Sequence, residues 1–126
     1  MEITQIVSGP QGESHFEDYT LTLRYPDHGF EGFPRISAPM KCTHCVVVEY
    51  PAGYEGPQER STHRQLAFCL SGLLRLTSSD GGQREFGPGD MIVMDDLDGK
   101  GHMITVLGNG PARVASVHMK ADQPTA

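Results

Sequence analysis

Short runs of β-branched, aromatic and aliphatic residues recur along the chain between Gly, Pro, Asn and Asp punctuation, and no stretch carries the apolar spacing of an amphipathic helix. The runs predict strands over Tyr19–Tyr25, Thr43–Tyr50, His63–Leu70, Leu73–Thr77, Gln83–Phe86, Met91–Met94, His102–Leu107 and Ala112–Met119. Asp80 and Gly81 supply one hairpin turn and Gly108 to Pro111 a second. The expected fold class is all-β and antiparallel, a barrel or jelly roll. Residues 1–18 are expected to form an N-terminal arm and 121–126 a flexible tail. The Gly- and Pro-rich loops Pro26 to Pro39 and Pro51 to Pro57 are candidates to cover a barrel mouth.

Alternation fixes faces within the third run. His63, Gln65, Ala67 and Cys69 share one side, with small residues at its far end, while Leu66, Phe68 and Leu70 make a bulky apolar row on the other. The first row suits a ligand cavity, and the second is apolar enough to pack or to dimerise. The inward faces of the strands carrying His44 and His118 are not fixed by alternation.

A chain of 126 residues makes one domain, 1–126, with room for a real core. Its net charge of -6 and scattered basic residues argue against nucleic acid, which requires clustered Lys and Arg. No charged segment leads into an apolar stretch at the start and no run of eighteen apolar residues occurs, so no membrane is expected and the cytoplasm is the expected location. Three cysteines make no disulfide framework. Cys42 and Cys45 form a CxxC pair, but it runs into Val46, Val47 and Val48 rather than a helix; in a regular strand their sulfurs point to opposite faces.

The chemistry concentrates between Arg84 and His102. Gly87, Pro88, Gly89 and Asp90 make a sharp turn into Met91–Met94, and Gly99 and Gly101 let the chain bend before presenting His102 at a strand start. His63 and Gln65 are expected to face His102 across the barrel. Asp95, Asp96 and Asp98 form an acidic loop, from which an inward carboxylate would orient an imidazole. Arg35, Arg64 and Lys100, with Asp96, are candidate substrate-binding groups, Arg being suited to a carboxylate.

The chain lacks Trp and the cysteine pattern of an immunoglobulin sandwich. Instead LSG at Leu70 to Gly72, SSDGG at Ser78 to Gly82, FGPGD at Phe86 to Asp90 and GKGH at Gly99 to His102 resemble a small stand-alone single-domain cupin. The opening GESHFED at Gly12 to Asp18 and the loop YPAGYEG at Tyr50 to Gly56 extend that resemblance over most of the chain. It implies a cupin-type antiparallel barrel enclosing a pocket. Metal-binding cupins hold Fe, Mn, Zn or Ni through two histidines and a glutamate of a first motif and one histidine of a second. Here His102 matches the last, whereas Glu59, Ser61 and Gln65 occupy the other three places and Leu97 replaces a usual proline.

The resemblance therefore implies either a metal-free site or a poor divalent-metal site from Glu59, Gln65 and His102, with the metal-free form favoured. The reading preferred is an enzyme acting on a small organic molecule by acid and base chemistry, of isomerase, lyase or cyclase type. His102 and His63 would be proton carriers and Gln65 a positioning group. The alternatives are a metal-dependent dioxygenase and a non-catalytic small-molecule binder. Cupins commonly pair, so the expected partner besides a small molecule is a second copy of the chain. Removing His102 is expected to abolish function at little cost in stability, and removing His63 to do less.

Overall fold

The computed structural model describes residues 1–120 and contains two facing β-sheets; the described residues form no helix. Nine strands follow in order: β1 (Glu2–Ser8), β2 (Ser14–Thr20), β3 (Cys42–Tyr50), β4 (Gln65–Ser71), β5 (Leu73–Ser78), β6 (Gln83–Phe86), β7 (Met91–Asp95), β8 (His102–Leu107) and β9 (Ala112–Met119). The larger sheet runs β2-β1-β7-β4-β9-β3 and the smaller β6-β5-β8. Every strand pair is antiparallel except β1 with β7, which is parallel. The expected tail at 121–126 lies outside the described residues.

The sequence pattern places no strand before Tyr19, yet the structure has two there. In β1 the inward Ile6 is fully buried while Ile3 packs on the opposite, outer face, so both faces are apolar and no alternation results. The strand expected over Tyr19–Tyr25 ends at Thr20; beyond it, Arg24 makes only an isolated bridge to Ile36. The Ser78 to Gly82 turn does close a hairpin between β5 and β6. Gly108 to Pro111 does not, because it carries the chain from β8 in the small sheet to β9 in the large one.

Ile6, Ala67, Ile92 and Met94 of the large sheet meet Leu76 and Phe86 of the small sheet in the interior. A second cluster forms on the outer face of the large sheet, where Leu66, Val93 and Met119 are buried with Ile3, Met40 and Phe68 against them. The apolar row thus packs within one chain, and of its members only Leu70 remains mostly exposed.

A bulge alters β3. Cys42 pairs with Met119 and His44 with His118, so one extra residue enters the strand between them. Cys45 pairs with Val117 on the same outer face as Met119, so both cysteines lie on the outer side. The opposite-face expectation holds only for a regular strand. Among the described residues β3 pairs with β9 alone, and it is exposed over most of its length.

Candidate functional site

A cavity of about 280 Å³ opens between the sheets. Its walls are largely apolar, with Val48, Leu76, Phe86, Ile92, Met94 and Ile104 among them. Gln65, Ala67 and Cys69 line it along one side of β4, as the alternation predicts. Burial, then the charge of Asp90, pushes the Cys69 thiol pKa up, so it lines the wall as a neutral group. Polar groups gather around Glu59, Arg60, Ser61, Thr62 and His102.

His102 is held from three directions. Its backbone pairs with Ser78 of β5 on one side and exchanges two 2.8 Å hydrogen bonds with Glu59 on the other. The segment from Tyr54 to Ser61 is thereby laid along β8, joined also by Gly56 N to Ile104 O and Val106 N to Tyr54 O. Gly101 permits this approach: its φ is +73°, and a Cβ there would stand 2.1 Å from the Glu59 carbonyl carbon. The expected lid at Pro51 to Pro57 is therefore partly a side wall. No residue from Pro26 to Pro39 lines the cavity.

The side chain is held by Asp96. Asp95 ends β7 facing outward, and the next residue turns in, where it is fully buried. Asp96 Oδ2 lies 2.5 Å from His102 Nδ1, and Oδ1 accepts a 2.7 Å hydrogen bond from Ser61 Oγ. The Ser61 N–H also donates to the Asp96 carbonyl. A carboxylate only accepts, so Nδ1 carries a proton, and in the neutral imidazole Nε2 is then the nitrogen with the lone pair. Asp96 does not line the cavity but His102 does, so the carboxylate holds the ring from outside the space that the ring borders.

Gln65 is fixed by a hydrogen bond from Ser116 Oγ to its Oε1, which leaves the amide NH₂ as its open donor group. Ser61 and Ser116, both buried and both lining the cavity, are positions of the candidate site that sequence reasoning missed. Ser61 was visible only as a departure from a metal motif, and Ser116 gave no signal in a strand of mixed residues. Arg60 was likewise missed; it lines the cavity, whereas the anchors named from sequence do not.

Arg64 lies on the outer face, its Nε 3.5 Å from Asp95 and its Nη1 against the Met119 sulfur. Burial raises the Asp95 pKa although Arg64 opposes it. Arg35 is exposed in the loop before β3, and the exposed Lys100 has its backbone tied to Gly12 and Gln58. His63 does not line the cavity; it stacks on His118 with ring centres 4.8 Å apart. Burial, then His63 and His44, lowers the His118 pKa.

The metal set Glu59, Gln65 and His102 fits poorly. Gln65 Oε1 already accepts from Ser116, the Ser61 hydroxyl donates to Asp96, and Glu59 is solvent-exposed. Among the described residues no three His, Cys, Asp or Glu side chains are arranged around an ion. The donors that remain favour hydrogen bonding and proton transfer over coordination.

No family model and no curated protein matches the sequence. Among solved structures, the chain is similar to the cupin domain of Schizosaccharomyces pombe Cnp3, at 19% identity and a TM-score of 0.53, covering 94% of this chain and 83% of that one. A conserved Streptococcus pyogenes protein of unknown function is similar at 20% identity and a TM-score of 0.48, covering 68% of this chain and 71% of that one. With its two facing sheets and the cavity between them, this chain has the all-β cupin fold.

Proposed function

We propose that this chain is a cupin-fold enzyme that moves a proton on a small, largely apolar organic molecule, with His102 as the proton carrier. The buried Asp96–His102 pair carries this reading: a fully enclosed carboxylate serves to fix the tautomer of one imidazole that lines the cavity. A cavity of about 280 Å³ sits near the small end of ligand sites, which run roughly 300–1,000 Å³. It accommodates a metabolite-sized molecule with an apolar body.

The residues support a carbon-acid reaction of isomerase, lyase or cyclase type. His102 Nε2 removes a proton from carbon, and the Gln65 NH₂ donates a hydrogen bond to the oxygen on which the electron pair collects. Returning the proton at another position completes an isomerisation with no co-reactant. Loss of a leaving group instead gives a lyase. Apolar walls strengthen both interactions by excluding water.

The test uses a panel of small aldehydes, ketones and carboxylic acids that bind the protein, incubated in D₂O and followed by NMR. Exchange of a carbon-bound proton that disappears in His102→Gln is the expected result. Bound compounds whose protons exchange equally in both proteins would leave a non-catalytic binder.

A further inference from the structure

Besides the titratable His102, Arg60 is the one residue with a basic side chain among the described residues that line the cavity. Its two neighbours are pinned to the Asp96–His102 pair. Glu59 exchanges two 2.8 Å backbone hydrogen bonds with His102, and Ser61 gives Asp96 both its N–H and its hydroxyl. The backbone of Arg60 is thereby fixed beside His102, although the residue is exposed. Arg64, Arg75, Arg84 and Arg113 each stand against a carboxylate; among the described residues none stands against Arg60.

We propose that Arg60 anchors the carboxylate of the ligand, which makes the substrate a small oxo acid with an apolar tail; the oxo group in this assignment rests on the carbon-acid reading of the same site. A guanidinium suits that role, because it offers a carboxylate two parallel N–H donors. The charge of the whole chain is -6, so an anion gains nothing from the general field and depends on this local cation.

Polarity is divided along the cavity in the way such a molecule requires. Gln65 pairs with Met94, two residues before Asp96, and so belongs to the same end as His102, with its amide NH₂ open to a carbonyl oxygen. Cys69 lies four positions further along β4, about 13 Å away at the rise of a strand, and packs there with Leu74 and Val106. Ala67 lines the wall between them and leaves room for a tail.

The acidic groups do not cancel this arrangement. Asp96 is enclosed and holds Ser61 and His102. Asp90 lies at the Cys69 end, where its carboxylate accepts from the Gly87 N–H. Glu59 is exposed at the same rim as Arg60 and opposes an anion only through space and solvent, whereas Arg60 bonds it directly.

Phenylpyruvate and its neutral methyl ester, titrated into the full chain and followed by NMR, test the site. The acid is expected to bind about tenfold tighter than the ester or more, the strength of hydrogen bonds to a charged group. Arg60→Gln is expected to abolish that preference and to leave ester affinity unchanged, with the same urea midpoint as wild type. Arg35→Gln, which removes an equal charge outside the cavity, is expected to keep the preference. No binding of the acid, equal affinity for acid and ester, or loss of the preference in Arg35→Gln would overturn the proposal. Exchange of the benzylic protons in D₂O is read separately. His102-dependent exchange of the ester without a preference for the acid would sink the carboxylate site and leave the proton-transfer reading standing. An Arg60-dependent preference without His102-dependent exchange would sustain the carboxylate site and remove the chemistry.

Discussion

Asp96 Oδ2 stands 2.5 Å from His102 Nδ1 with the carboxylate wholly shielded from solvent, so the tautomer of the imidazole is set by a residue that does not line the cavity. Asp96→Asn keeps the size of the side chain but offers Nδ1 an N–H, which moves the ring proton to Nε2. Proton exchange on a bound substrate is expected to fall by roughly 10²- to 10⁴-fold, with affinity for the same compound little changed. His63→Ala, outside the cavity, is expected to leave the exchange rate at the wild-type value. NMR exchange rates with one substrate compare all three proteins.

The same contact changes what removal of His102 should do to folding. The sequence alone suggests that His102→Ala costs little stability, but in the structure it deprives a fully buried carboxylate of one of its two side-chain partners. Leaving a buried acceptor short of one hydrogen-bond partner costs about 1–3 kcal/mol, and more where the acceptor is charged. Urea unfolding is expected to show a loss of that order for His102→Ala and a smaller one for His102→Ala combined with Asp96→Ala. A single variant as stable as wild type would mean that Asp96 is not held as an ion.

The strands from β3 onward were legible because turn residues bracket each run, and β6, β8 and β9 begin and end where the pattern puts them. Gly99 and Gly101 likewise pointed to His102, since both adopt positive φ just before it. The Asp96 role was legible as a conditional: the inward carboxylate of the acidic loop orients the imidazole. What sequence did not reveal depends on contacts across distance. His63 shares the face of Gln65 but lies past the end of β4, where it meets His118 on β9 instead of the cavity. Ser61 reaches Asp96 across 35 positions of chain. The β3 bulge has no signature in CTHCVVVEY, and it decides the face of Cys42 relative to Cys45.

Dimerisation is expected through β3 rather than through the Leu66, Phe68, Leu70 row, which is largely covered within the chain. β3 is nine residues long, pairs among the described residues with β9 alone, and has Val47 65% exposed. A long apolar edge strand is a template for pairing with another copy. Light scattering at micromolar concentration is expected to give twice the 13.8 kDa chain mass, and Val47→Lys to shift the protein to monomer. A wild-type monomer would contradict the expectation.

The β5–β6 hairpin supplies a pH test. Asp80 accepts hydrogen bonds from Ser78 Oγ and from the Gly82 N–H, and these hold its pKa below the ordinary 3.8. A carboxylate with a lowered folded-state pKa contributes stability above its unfolded pKa, and that contribution fades as pH falls through the folded value. Asp80→Asn removes the charge with little change in shape. Its Tm is therefore expected to lie below wild type at pH 7, with the gap narrowing as pH falls from about 4 toward the lowered pKa. Thermal melts of both proteins across that range measure the gap. A difference that stays constant with pH would assign the effect of the substitution to the turn's shape, not to the charge of Asp80.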